Sequence, residues 1–202
     1  MGWTLGIHGY ERDPFLDAYL LTVGRALLVA TAYEKKCWFV MATIKRTEVI
    51  EAGGDFDAVR QIALALRNVM LGGVLKHLKA FAEITEAEIN VLNRARETRN
   101  FIAHESTHID ISWQVPVKGI IEQSNKLIDA VDGLIFGDNL VSSWVYEIKE
   151  KEPAPDSSWY PERIRSWVFE PVDSYLKTHA SASSDLVIVF REDEELASRE
   201  GR

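Results

Sequence analysis

Apolar residues recur at three- and four-residue spacing along most of this 202-residue chain, and that helical period constrains the fold more than any other feature. Asp13 followed by Pro14 pairs an N-cap with the residue favoured at the first helical position. From there Phe15, Leu16, Tyr19, Leu20, Val23, Leu27 and Leu28 lead on to Val40 and Ile44, predicting a helix that ends before Gly53-Gly54. Asp55 starts a second segment reaching Phe81, with a kink expected at Gly72-Gly73 because paired glycines weaken a helix interior. Thr85 and Glu88 form a capping box for a third helix running to about His104. The β-branched stretch Ile109–Val115, closed by Pro116, reads as an extended connection. A fourth helix spans Val117 to Glu150, with a break expected near Gly137-Asp138. Prolines and serines in Lys151–Ser158 mark a linker, which divides the chain into a helical bundle over 1–150, the linker 151–158 and a C-terminal part 159–202. That last part holds an aromatic-rich helix around Pro161–Lys177, a short apolar run Leu186–Phe190 and an acidic tail. The expected fold class is all-α: an up-and-down bundle of four or five long helices.

Composition narrows the function classes. A single cysteine, Cys37, excludes an intrachain disulfide framework and any zinc site built from several thiolates. The longest uncharged stretches fall short of the roughly 20 residues that cross a bilayer, and the N-terminus has neither a basic lead nor an apolar run. These features read as a soluble cytoplasmic protein with no membrane association. The net charge of −8 argues against a generic nucleic-acid coat. Between Arg60 and His104, however, seven Lys and Arg face four Glu, a local charge of +3 that leaves −11 for the remainder. Such a segment suits an anionic ligand, though charge alone fits a mixed-charge solvated face better.

Candidate chemistry converges on Arg94–His108, RARETRNFIAHESTH. At about 100° per residue, Val91, Leu92, Ala95, Ile102 and Ala103 form one apolar arc with Arg99 in its middle. A guanidinium there cannot deprotonate, so it needs a carboxylate, a partner subunit or a bound anion. Asn93, Arg96, Asn100 and His104 cluster on one flank, and the last three succeed one another at i, i+4 and i+8. The combination suits phosphate: Arg offers a bidentate fork, His exchanges a proton near neutral pH, and Asn orients either group. The same residues also fit a buried Arg–Glu bridge with a surface His near a helix end.

Arg99, polar Asn100, then Phe101-Ile102-Ala103 and His104 resemble the R-x(4–6)-H signature of HEPN domains. The matching motif is six residues long, in a compatible helical context over roughly 13–150, and it leaves the C-terminal part outside. The resemblance implies an all-α homodimer in which two copies of the motif form a metal-independent endoribonuclease site. Such domains serve in toxin–antitoxin, antiphage defence and RNA-processing systems, so an antitoxin or other regulatory protein is an implied partner. His104 would act as general base or acid in attack by the RNA's own 2′-hydroxyl, Arg99 would stabilise charge on the scissile phosphate, and Asn100 would orient one of them. Arg94 and Arg96 would bind the RNA backbone, and no cofactor is implied. One toxin subgroup carries a Tyr, modified by its antitoxin, two residues beyond the His; this chain departs from it with Ser106. Arg99 and His104 lie about 140° apart on an ideal helix, a gap that a second subunit could close.

Two other readings stay open. A non-catalytic HEPN-like module would bind a nucleotide, RNA or a partner without cutting. His104-Glu105-Ser106-Thr107-His108 also spells HExxH, which on a helix would place His104 and His108 on one face to bind zinc, with Glu105 as base and Glu122 or Glu147 as third ligand. Ser106, Thr107, Ile109 and Ile111 are poor helix formers, so the helix is expected to end within that motif. His8 and His77 are isolated, Cys37 among Trp38, Phe39 and Val40 reads as core, and no Lys-Ser/Thr follows Gly72-Gly73 as a phosphate loop requires. The C-terminal Trp residues could stack bases, though they fit a docking or dimer surface better.

Overall fold

The computed structural model describes residues 14–66, 69–80, 84–106 and 117–179. Six helices account for almost all of them: α1 Pro14–Glu51, α2 Phe56–Leu66, α3 Leu71–Ala80, α4 Glu86–His104, α5 Val117–Glu150 and α6 Tyr160–His179. The fold is an all-α bundle. Cross-helix contacts fix its directions. Tyr33 and Tyr19 of α1 meet Leu92 and Ser106 beside α4, so α4 runs antiparallel to α1. Gly137 of α5 abuts Ala95, and Gly133 abuts Thr98, so α5 turns back again. Arg25 of α1 bonds Glu170 of α6 while Phe15 stacks on Tyr175, so α6 descends like α4. The four long helices therefore alternate up and down, and α2 with α3 fills the crossing between α1 and α4.

The ends of α1 and the start of α2 are set by local chemistry. Gly53, at φ 78°, donates its N–H to the Ile50 carbonyl, and Gly54 donates to Val49, which closes α1 in a Schellman motif. Asp55 then caps α2 by accepting from Ala58 N–H at 2.9 Å.

Two expected interruptions fall elsewhere. The second segment is two helices, α2 ending at Leu66 and α3 starting at Leu71, and Gly72-Gly73 sit in the first turn of α3 rather than at the interruption. There the carbonyl of Leu66, freed from the helix ladder, accepts from the Trp38 indole at 3.0 Å and from Val69 N–H at 3.0 Å. Glycine costs little in a first turn, whose N–H groups have no helical acceptor anyway. Nor does α5 break at Gly137-Asp138; it continues unbroken for 34 residues. Gly137 is there for proximity. A Cβ at that position would lie 2.3 Å from the Cβ of Ala95, so the absent side chain is what lets α4 and α5 approach.

Asp138 is 1% exposed, yet it is fully met. Lys36 of α1 donates to both carboxylate oxygens at 2.8 and 2.9 Å, and the Tyr160 hydroxyl of α6 donates to the second. Burial holds the Tyr160 phenol protonated well above its ordinary range, as this donation requires. The helix expected around Pro161–Lys177 spans Tyr160–His179, and Val168, Phe169 and Val172 join the same core as Tyr33, Leu92 and Leu134. Residues 151–158 connect α5 to α6 irregularly, with Lys151 at φ 61°. Pro171 lies inside α6 and cannot donate to the carbonyl four residues back, Trp167. Arg25 supplies that bond instead, at 2.6 Å. Asp13, the Ile109–Val115 connection, the Leu186–Phe190 run and the acidic tail lie outside the described residues.

Gly137→Val should destabilise the protein by roughly 1–3 kcal/mol through overpacking against Ala95, read as a lower urea midpoint. The Asp138 cluster makes a prediction about order. Lys36→Met strands a buried carboxylate and should cost about 3 kcal/mol or more, whereas Asp138→Asn should cost less, because Lys36 is 29% exposed and can turn to water. Equal losses in denaturant titration would contradict this.

Candidate functional site

Helix α4 is fixed at both ends before its side chains are considered. Thr85 accepts from Glu88 N–H through its hydroxyl while the Glu88 carboxylate accepts from Thr85 N–H at 2.8 Å, the expected capping box. At the other end, Glu105 and Ser106 both donate backbone N–H groups to the Phe101 carbonyl, at 2.8 and 3.0 Å, and helix geometry stops at His104. Ser106 is buried; its hydroxyl donates to Ile102 O at 2.7 Å, and its own carbonyl accepts from the Tyr19 hydroxyl at 2.6 Å. Desolvation pushes the Tyr19 phenol up to about 12, so it stays a donor across the physiological range. Ser106 is thus a structural lock, turned inward.

Arg99 sits on the buried side of α4, as its place in the apolar arc requires, and its partner is a carboxylate. Its Nη2 donates to Glu34 Oε2 of α1 at 2.5 Å, and Nη1 donates to Asn100 Oδ1 at 3.2 Å. Both side chains keep some access to solvent, 24% for Arg99 and 35% for Glu34. Sequence reasoning did not name Glu34, although it is the only acidic residue between Asp17 and Glu48. His104, the last helical residue, is exposed, with no hydrogen bond or ion pair among the described residues. The arrangement therefore contains an Arg–Glu bridge with a surface histidine at a helix end. It also contains a guanidinium and an imidazole on one helix, with Asn100 between them in sequence and bonded to the first.

The basic residues divide. Arg96 lies on the flank of Asn100 and His104, half-exposed, 3.8 Å from Glu97. Arg94, about 160° round the helix from Arg96, lays its stem over Gly133 of α5, within 3.2 Å of a Cβ built there. The fold does not bring Arg94 to the Arg96–Asn100–His104 flank. Asn93 on that flank accepts from Lys79 of α3 at 2.8 Å.

The HExxH spacing loses its helical basis here, since Glu105 is the C-cap and Ser106 is buried against α1. His108 lies outside the described residues, as does His8. Among the described residues no three His, Cys, Asp or Glu side chains gather as a metal site would need. Glu147, placed beyond Gly137 toward the N-terminal end of α4, accepts from Ala154 N–H and lies away from His104. Cys37 is core: fully buried, with desolvation pushing its thiol up to about 12, which leaves it a poor nucleophile at neutral pH. His77 contacts the Gly73 carbonyl within its own helix. The C-terminal tryptophans stand exposed, Trp167 beneath the Arg25 guanidinium and Trp159 beneath Arg163. No protein-family model, curated protein or solved structure gives a significant match to this chain.

Tyr19→Phe removes the side chain that donates to the buried Ser106 carbonyl. It should cost about 1–3 kcal/mol and speed amide exchange at Glu105 and Ser106, leaving the Thr85 end protected.

Proposed function

We propose that this chain is a metal-independent endoribonuclease of the HEPN type, acting as a homodimer. The observation that carries the reading is the state of the R-x(4–6)-H motif. Arg99 is held half-buried by Glu34 and Asn100, and His104 stands exposed at a helix end that Tyr19 and Ser106 hold in place. In this reading the 2′-hydroxyl of the RNA attacks its own phosphorus and the bond to the 5′-oxygen breaks. The products are a 2′,3′-cyclic phosphate and a 5′-hydroxyl. His104 takes the proton from the attacking hydroxyl or gives one to the leaving oxygen, and a second copy of His104 can perform the other transfer. Arg99 meets the negative charge that builds on phosphorus, exchanging Glu34 for the phosphate as it does so. Asn100 keeps the guanidinium aimed during that exchange. Arg96 contributes backbone attraction from the same flank, and Arg94 from a separate one. A cytoplasmic setting, with an antitoxin or another regulatory protein as partner, belongs to the same proposal.

One observation favours a second reading. Glu34 already neutralises Arg99, so the motif is complete as a structural bridge. A non-catalytic module that binds RNA, a nucleotide or a protein would keep this arrangement without cutting. The zinc reading draws the least support, because α4 ends at His104.

Incubating the purified chain with mixed RNA, with and without EDTA, separates the three. We expect cleavage that survives chelation, 2′,3′-cyclic phosphate ends, and a loss of about 10²–10⁴-fold in Arg99→Ala and His104→Ala, with His108→Ala active. RNA binding that Arg99→Ala abolishes, with no cleavage by the parent, would assign the chain to the non-catalytic module. Stoichiometric zinc lost in His108→Ala would assign it to metal chemistry.

A further inference from the structure

Helix α1 turns an apolar face away from the bundle. Leu20, Leu21, Leu27 and Leu28 are 45%, 53%, 43% and 63% exposed, on a helix whose inner side is fully buried at Tyr19, Ala26 and Tyr33. At about 100° per residue these leucines share one sector with Gly24 and Thr31. Gly24 makes a notch in it, since a Cβ there would meet nothing within 4 Å. By length and composition alone α1 could cross a membrane, so the face could have more than one occupant.

The pattern of the face selects one. Asp17 and Lys35 lie on the same sector at its two ends, and both are exposed. Each is nine positions from residue 26, about 13.5 Å along the helix. Leu28 and Gly24 each stand two positions from the same point. Turned end for end about residue 26, a second α1 places Lys35 against Asp17 twice and sets each exposed Leu28 over the other chain's Gly24 notch. A parallel copy would oppose like charges, and a lipid surface or an unrelated helix would have no use for this register. We propose that this face is the interface of an antiparallel homodimer whose two-fold axis passes level with residue 26.

That axis is level with the candidate site. Tyr33 bonds Leu92 O and Tyr19 bonds Ser106 O, so the stretch from 19 to 33 runs antiparallel beside that from 92 to 106. Halfway along both, residue 26 is level with Arg99. Glu34, which holds Arg99, lies two turns from Leu27 on the same line of α1, at the edge of the leucine sector. Tyr19 and Tyr33 hold α4 behind α1, so the two-fold sets the two Arg99 guanidiniums at one level, each at the Glu34 edge of its own α1. The inference rests on the ribonuclease reading and deepens it by naming the surface through which two chains carrying the motif associate. Association and cleavage are nevertheless read separately.

Sedimentation velocity on the full chain at concentrations up to about 100 µM tests it. We expect a dimer, and Leu28→Asp should sediment as a monomer with an unchanged circular dichroism spectrum. Asp17→Lys and Lys35→Glu should each weaken association by roughly threefold to tenfold, as two exposed ion pairs warrant, and the double swap should restore it. Restoration separates pairing across the two-fold from damage to the other contacts Asp17 makes. A wild-type monomer at the highest concentration, a dimer indifferent to Leu28→Asp, or a double swap no better than the singles would overturn the proposal. So would binding of phosphatidylcholine–phosphatidylglycerol vesicles by a monomeric chain, lost in Leu28→Asp, which would give the face to lipid. A dimer that leaves RNA intact keeps this interface and removes the ribonuclease; a monomer that cuts RNA does the reverse.

Discussion

A carboxylate taken out of water has to be met by partners, and at Asp138 three helices are joined. Lys36 reaches it from α1 and Tyr160 from α6, while α5 carries it beside Gly137, the point of closest approach to α4. The attraction between a buried ion pair only offsets desolvation when the remaining lone pairs are satisfied. Here that condition is fulfilled only when the long helices are in register. A sliding α1, or an α6 rotated by one residue, would leave a charge in the core. The apolar contacts supply most of the driving force; the cluster decides which of many greasy packings is the one adopted.

The same logic at lower stakes governs α4. The carbonyls of Leu92 within it and of Ser106 just past its end are tied to buried phenols, so its position against α1 is set by hydrogen bonds rather than by side-chain volume alone. Arg99 and Glu34 then meet at the boundary between core and solvent. A fully buried pair would be locked, and a fully exposed one would be too weak to orient anything. Partial exposure leaves the guanidinium held, yet open to exchange with a competing anion.

Helix boundaries with a side-chain cap were legible in the sequence. Thr85 with Glu88, Asp55, and the glycines after Glu51 all act where their chemistry requires. Glycines inside helices were not legible, because propensity alone cannot distinguish a weak point from a contact point. Gly72-Gly73 and Gly137 were expected as breaks, and each sits in continuous helix. The need for a partner at Arg99 was readable from its place among apolar residues. Glu34 was not, since the pairing spans 65 positions and no local pattern encodes it.

Helix α6 cannot complete its own hydrogen bonds. Pro171 leaves the Trp167 carbonyl open, and the donor that closes it, Arg25, lies 142 positions earlier in the chain. As a free segment α6 has a defect at its centre, and only docking removes it. During synthesis the acceptor emerges long after its donor, so the bond can close only once α6 has been made. Helix α6 is therefore a piece whose secondary structure depends on tertiary structure, and its docking on α1 is what completes its hydrogen bonding.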